Sequence, residues 1–281
     1  MAGASFDPDA FTAESRANWS KAAPHYGALA DELFRPMAHA FVKFAGVKAG
    51  QTVLDVACGP GTATLACAKA VGPKGKVVGV DLAPGMLKAA GERLGTIDLR
   101  EMNAEALDLP DSTFDVVICQ LGLMLFAKPD RALAEMKRVC RPGGTVACLV
   151  QGRKEGMLFT SLVMSALIKR APQLKAPPGA PTIYAFGDPG VLDAALSKAG
   201  LAQVASHRHA GVFTFASPEE YWKRMTEASG RTGAMLRSLP EETRKLVEDD
   251  VLEQARGYRR DGKIDIPFEF VMARGLADKK G

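Results

Sequence analysis

The chain has 281 residues, 47% of them hydrophobic and 24% charged, enough apolar material for one large core with a smaller cap. Its 36 Lys and Arg stand against 32 Asp and Glu, and the formal charge of +4 arises after residue 150, so composition does not call for nucleic acid or an anionic membrane as partner. Cys58, Cys67, Cys119, Cys140 and Cys148 include no Cys-x-x-Cys pair and have no histidine at ligand spacing, which argues against a zinc site. With no leader-like start and no apolar run long enough to span a bilayer, the expected setting is a reducing cytoplasm.

In chain order, the apolar stripe from Thr12 to Gly46 predicts two helices ahead of the core, so that residues 1–46 read as an N-terminal segment. The core at 47–150 alternates: strand 52–57, helix 62–71, strand 76–81, helix 84–94, strands 97–102 and 114–119, helix 129–140 and strand 144–150. This order predicts an α/β fold with a parallel sheet and helices on both faces. Continuous apolar runs such as Val116-Val117-Ile118-Cys119 suit strands covered on both sides. Arg141-Pro142-Gly143-Gly144 reads as a sharp stop between helix and strand.

Residues 151–281 read as the remainder of the sheet plus a mainly helical cap, inserted at about 151–186 and 217–259. A helix is expected at 155–171, an extended linker at 176–181, a helix at 188–199 and a strand pair within 202–215. The last alternating stretch, 264–273, contains Pro267, which favours an edge or a strand end.

The chemistry concentrates in Val53-Leu54-Asp55-Val56-Ala57-Cys58-Gly59-Pro60-Gly61 and in Asp81, which ends Lys76-Val77-Val78-Gly79-Val80. A buried strand, a turn whose glycines admit a ligand to the backbone, a helix N-terminus and a second strand ending in a carboxylate together suit a ribose-bearing ligand. A dinucleotide dehydrogenase is disfavoured, because Thr64 stands where a third glycine is needed and no Tyr-x-x-x-Lys pair exists.

With Val78-Gly79-Val80-Asp81-Leu82-Ala83-Pro84-Gly85-Met86-Leu87, Asn103-Ala104-Glu105-Ala106-Leu107-Asp108-Leu109-Pro110, Phe114-Asp115-Val116-Val117 and Ala134-Glu135 through Pro142-Gly143-Gly144, these motifs resemble those of class I S-adenosylmethionine-dependent methyltransferases of the ubiquinone/menaquinone-biosynthesis type. The resemblance implies a Rossmann-like seven-stranded mixed sheet whose last strand, 264–273, is antiparallel, and S-adenosyl-L-methionine as cofactor. It implies that Asp55, Gly59 and Gly61 surround the methionine part and that Asp81 holds the ribose. Leu82 and Met86 would flank the adenine, Asn103, Ala104 and Glu105 would lie at its edge, Gln120 would approach the sulfonium and amino group, and Tyr26, with Trp19, would belong to a lid.

Methyl transfer requires no protein nucleophile, only alignment and, for some acceptors, a general base. The candidate bases are His25, His207 and His209, with surface histidines as the alternative reading. The expected acceptor is a small, partly apolar molecule covered by Met157, Phe159, Leu162, Met164, Leu167, Tyr184 and Phe186 of the first insertion, unless these only pack the cap. RNA or protein methylation and a catalytically silent cofactor-binding module are the alternatives. Cys119-Gln120-Leu121-Gly122 in place of Asn/Asp-Pro-Pro-aromatic, and the lack of a Pro-Cys dipeptide, argue against base or glutamine methylation. No metal and no nucleic acid is expected, and the sequence does not indicate an oligomeric state.

Overall fold

Continuous apolar stretches become the strands of one sheet in the computed structural model, which describes residues 6–228 and 230–278. Strands β1 (Thr52–Val56), β2 (Lys76–Asp81), β3 (Asp98–Glu101), β4 (Phe114–Gln120) and β5 (Cys140–Gln151) pair in parallel. The later strands are β6 (Leu201–Phe215), β7 (Arg259–Arg260) and β8 (Lys263–Ala277). Strand β8 runs antiparallel between β5 and β6, giving the order β3-β2-β1-β4-β5-β8-β6, while β7 forms a hairpin with β8. The chain leaves β1 toward β2 on one side and β4 on the other, and a crevice opens at the strand ends where that order reverses.

Helices α3 (Thr62–Val71), α4 (Pro84–Leu94) and α5 (Pro129–Val139) connect the parallel strands, and proline opens the first turn of α4 and of α5. Ahead of them, α1 (Pro8–Leu29) is capped by Asp7, whose carboxylate accepts the Asp9 and Ala10 N–H groups at 3.0 and 3.1 Å. One wide π-helical turn, Ala30–Phe34, joins α1 to α2 (Arg35–Phe44). Pro36 has no N–H to offer the Glu32 carbonyl, so an ordinary helical ladder is interrupted there.

Several boundaries differ from the sequence expectation. Arg141-Pro142-Gly143-Gly144 is a bulge inside β5 and not a stop before it: Phe114 pairs with Cys140 and Val116 with Thr145, and the residues between loop out. Residues 201–215 form one long strand where a strand pair was expected, and Gln203, at φ 50°, lies in a bulge of its pairing with β8. Pro267 lies beyond the last β5 partner, Gln151 opposite Phe270, so β8 has only β6 beside it there.

The insertions fold as α6 (Leu158–Arg170) and as α8 (Pro218–Ala228), α9 (Gly230–Ser238) and α10 (Glu241–Arg256), while α7 (Val191–Lys198) covers the opposite face. Phe159, Phe213, Phe215, Tyr221, Phe268 and Phe270 pack mostly edge-on behind Phe34, with ring centroids 4.3–6.4 Å apart. Truncating one such buried ring costs about 3–5 kcal/mol, so this cluster fixes the inserted helices far more firmly than surface ion pairs do. By contrast, α1 buries only Ala22, Ala23 and Leu29, and its first half is tied down by exposed pairs such as Arg16–Glu101 at 2.6 Å. Among the described residues no helix is long and apolar enough to cross a membrane.

Candidate functional site

A cleft of about 1040 Å³ opens at the carboxyl ends of β1, β2 and β4, with α1 across its mouth. Its shape starts in the backbone. Ala57, after β1, and Leu121, after β4, both adopt left-handed φ values, 55° and 59°, which are costly for residues with side chains and recur at functional sites. Gly122 lets these two bends approach, since a Cβ there would lie 2.7 Å from the Ala57 Cβ.

The glycine turn closes as Gly61 N–H donates to the Cys58 carbonyl at 3.0 Å. Gly59 faces the cleft, whereas Gly61, at φ 85°, caps α3 and lies outside the lining. A Cβ on Gly61 would meet Leu94 Cδ1 at 2.4 Å, so this glycine shapes the turn rather than the ligand surface. Gly61→Ala should therefore destabilise the fold by about 1–3 kcal/mol in denaturant unfolding. A loss below about 0.5 kcal/mol would show that the turn relaxes freely.

Two carboxylates define the polar centre. Asp81 accepts Gly59 N–H on Oδ2 and Ala83 N–H on Oδ1, both at 2.8 Å, and each oxygen retains a second lone pair. Burial raises its pKa, opposed by these backbone donors. Asp55 is fully buried, Thr64 donates its hydroxyl to Oδ2 at 2.7 Å, and Oδ1 has no partner among the described residues. Burial pushes Asp55 up to about 7, with the Thr64 hydroxyl pulling it down and Asp81 adding to the rise. Across the cleft Gln120 Oε1 is likewise buried without a donor.

The expected residues Tyr26, Asp55, Gly59, Asp81, Leu82, Met86, Asn103, Ala104, Glu105 and Gln120 all line this one cleft, as does Trp19. Asn103 Oδ1 accepts the Glu105 N–H at 2.9 Å, and Glu105 in turn accepts the Lys128 N–H at 2.8 Å, so both side chains also hold the loops around the cleft. Met86 packs with Ala23, Ala83, Trp19 and Tyr26. Burial, followed by the charge of Asp81, raises the Tyr26 phenol far above its ordinary range and keeps it protonated.

The histidines lie elsewhere. His25 is exposed on α1 and outside the lining; His207 and His209 are exposed on β6, the far edge strand, where His209 stacks on Phe268 at 5.8 Å. Four strand positions separate β6 from β1, so a shared face on β6 does not bring these rings to the cleft.

The first insertion is also absent from the lining. Met157, Phe159, Leu162 and Leu167 join the core cluster beneath α6, Phe186 joins the opposite cluster, and Met164 and Tyr184 pack partly buried against the former. The apolar wall comes instead from Ala30, Phe34, Leu121, Leu125 and Phe126. Tyr26, Ala30 and Phe34 recur every four residues through the π-turn; the sequence reading assigns Tyr26 to a lid, while the cleft-facing place of Ala30 and Phe34 goes unread there. Asp31 of that turn pairs with Arg93, which also donates to the Pro60 carbonyl, and Thr62 donates to Asp31 at 3.2 Å. The π-turn is thereby fastened to the glycine turn.

Residues 53–144 match a family model described as a methyltransferase domain. This stretch is a class I methyltransferase domain. Across 110 residues the chain is 43% identical to the ubiquinone/menaquinone biosynthesis C-methyltransferase UbiE of Escherichia coli, an alignment covering 37% of this chain and 44% of that protein. The chain thus spans less than half the length of these relatives. Solved structures share the fold beyond the methyltransferase domain. The YcgJ protein of Bacillus subtilis aligns with a TM-score of 0.56 at 18% identity, over 88% of this chain and 100% of that one. Haemonchus contortus phosphoethanolamine N-methyltransferase 2 gives 0.55 at 16%, over 87% and 53%. The [4+2]-cyclase SpnF gives 0.52 at 17%, over 87% and 81%, so this fold also carries chemistry other than methyl transfer.

Proposed function

We propose that the protein transfers a methyl group from S-adenosyl-L-methionine to a small acceptor whose reacting part is apolar. The observation that carries this reading is the pair of unpartnered buried oxygens, Asp55 Oδ1 and Gln120 Oε1, beside Asp81 in a cleft whose lining charges are Asp55, Asp81, Glu105 and Arg16. Such a centre favours a cation with several N–H donors, and the free lone pairs of Asp81 suit a vicinal diol. The cofactor's ammonium and ribose fit these donor needs. Leu82, Met86 and Ala104 offer apolar surfaces for its base, while Tyr26 and Trp19 of α1 close over it.

When bound, S-adenosylmethionine supplies an electrophilic methyl carbon that is displaced in line from sulfur. The chain's task is to hold the acceptor about 3 Å from that carbon and keep water away. Ala30, Phe34, Leu121 and Phe126 form the apolar wall suited to this. Tyr26, held protonated, serves there as a hydrogen-bond donor and not as a base. An anionic, phosphate-bearing acceptor is disfavoured, because the one basic lining side chain, Arg16, is half exposed and paired with Glu101. The likeness to a C-methyltransferase of quinone biosynthesis supports a small organic ring as acceptor.

Calorimetric titration of cofactor-free protein with S-adenosylmethionine should give one site. A radiolabelled-methyl assay on cell extract, fractionated into small molecules, RNA and protein, should then place the label in the small-molecule fraction. Label in RNA or protein would overturn the acceptor class, and binding without any label would favour a non-catalytic or non-methylating role.

A further inference from the structure

A carboxyl group buried at 0% exposure, hydrogen-bonded through Thr64 alone and with no cation beside it among the described residues, is poorly placed to carry a charge. Asp55 is the penultimate residue of β1, between Gly79 of β2 and Ile118 of β4. The titratable groups facing it from the packed elements are Asp81 at the end of β2, Cys58 after β1, Cys67 on α3 and Cys119 on β4, and Tyr26 of α1 lies near Asp81. None is a cation. The three thiols and the phenol are pushed up by burial and stay neutral, and Asp81 adds to the penalty on an Asp55 carboxylate. The bare Oδ1 and Gln120 Oε1 nevertheless both belong to side chains of the cleft lining and lack a donor among the described residues, a need that an ammonium can meet.

We propose that Asp55 is a carboxylic acid in the ligand-free protein and gives up its proton to solvent when an α-ammonium group docks on Oδ1, so that ligand binding and proton release are one event. This rests on the reading of the cleft as a site for the methionine end of the cofactor. The balance is simple: the neutral acid and the ammonium form an ion pair, and one proton leaves to the buffer. No bond other than the carboxyl O–H is broken.

S-Adenosylhomocysteine, which keeps the amino-acid end and lacks the labile methyl, is the probe. Titration calorimetry at pH 6 in two buffers of different ionisation enthalpy should report release of about 0.9 proton per ligand, falling toward zero at pH 8. Its Kd should weaken by about tenfold for each pH unit below 7. 5′-Methylthioadenosine, which lacks the amino acid, should bind with no proton released, and Asp55→Asn should bind S-adenosylhomocysteine more weakly, with neither the release nor the pH slope. Binding by the wild-type protein with no release at pH 6 overturns the proposal while leaving the cofactor reading intact. Equal release with 5′-methylthioadenosine, or an undiminished release in Asp55→Asn, also overturns it by assigning the proton to another group such as Asp81. No binding of either nucleoside overturns the cofactor reading itself.

Discussion

Asp81→Ala should weaken binding of S-adenosylhomocysteine by about 10- to 150-fold, the loss of roughly 1.5–3 kcal/mol expected when hydrogen bonds to a charged group are removed. The carboxylate already accepts Gly59 and Ala83 N–H, which holds the glycine turn against the start of α4 while directing its remaining lone pairs into the cleft. Truncation would therefore act twice, by removing the diol's partner and by leaving two backbone donors without one. Asp81→Asn separates these effects, because the amide retains one oxygen for the backbone but loses charge and one acceptor. Binding of 5′-methylthioadenosine should fall in parallel, since it shares the ribose, whereas Asp55→Asn should leave that ligand's affinity within about threefold of wild type. If Asp81→Ala changes both affinities by less than about threefold while its thermal unfolding matches wild type, Asp81 does not hold the ribose.

The parts of the fold legible in the sequence were those governed by local pattern. Helix 62–71 and strand 76–81 were read at their observed bounds because glycine, proline and a switch from apolar run to helical spacing mark both ends. Where tertiary pairing decides, the pattern was insufficient. Residues 201–215 are one strand paired along β8 where a strand pair is expected, and Arg141–Gly144 loops out within a strand because β4 recovers its register beyond it. The cleft's polar residues were legible through their place at strand ends. Its apolar wall was not, because Phe34 and Phe159 are equally hydrophobic and only the folded chain shows that Phe34 faces the cleft while Phe159 packs behind it. Thr64 illustrates the same limit. In sequence it is a missing glycine; in the fold its hydroxyl donates to the buried Asp55 carboxyl.

Burial, only partly offset by Thr64, makes Asp55 the site of the largest expected pH effect. Its folded pKa, about 7, lies above its ordinary 3.8, so the native protein holds a proton that the unfolded chain has already lost between roughly pH 4 and 7. Stability should fall as pH rises through that window, by about 1.4 kcal/mol per unit and at most about 4 kcal/mol in total, and level off above it. Asp55→Asn does not titrate and can still accept the Thr64 hydroxyl. In the absence of ligand the variant should match wild type within about 1 kcal/mol at pH 4 and exceed it by several kcal/mol at pH 8, read as a higher midpoint in denaturant. Parallel stability curves for the two proteins from pH 5 to 8 would show that Asp55 is ionised throughout. Saturating S-adenosylhomocysteine should reverse the order at pH 8, because the ammonium that relieves the wild-type carboxylate finds no charge in the variant. A carboxylate that weakens the empty fold at neutral pH yet strengthens the occupied one is understandable as a binding residue, and has no evident use as a purely structural one.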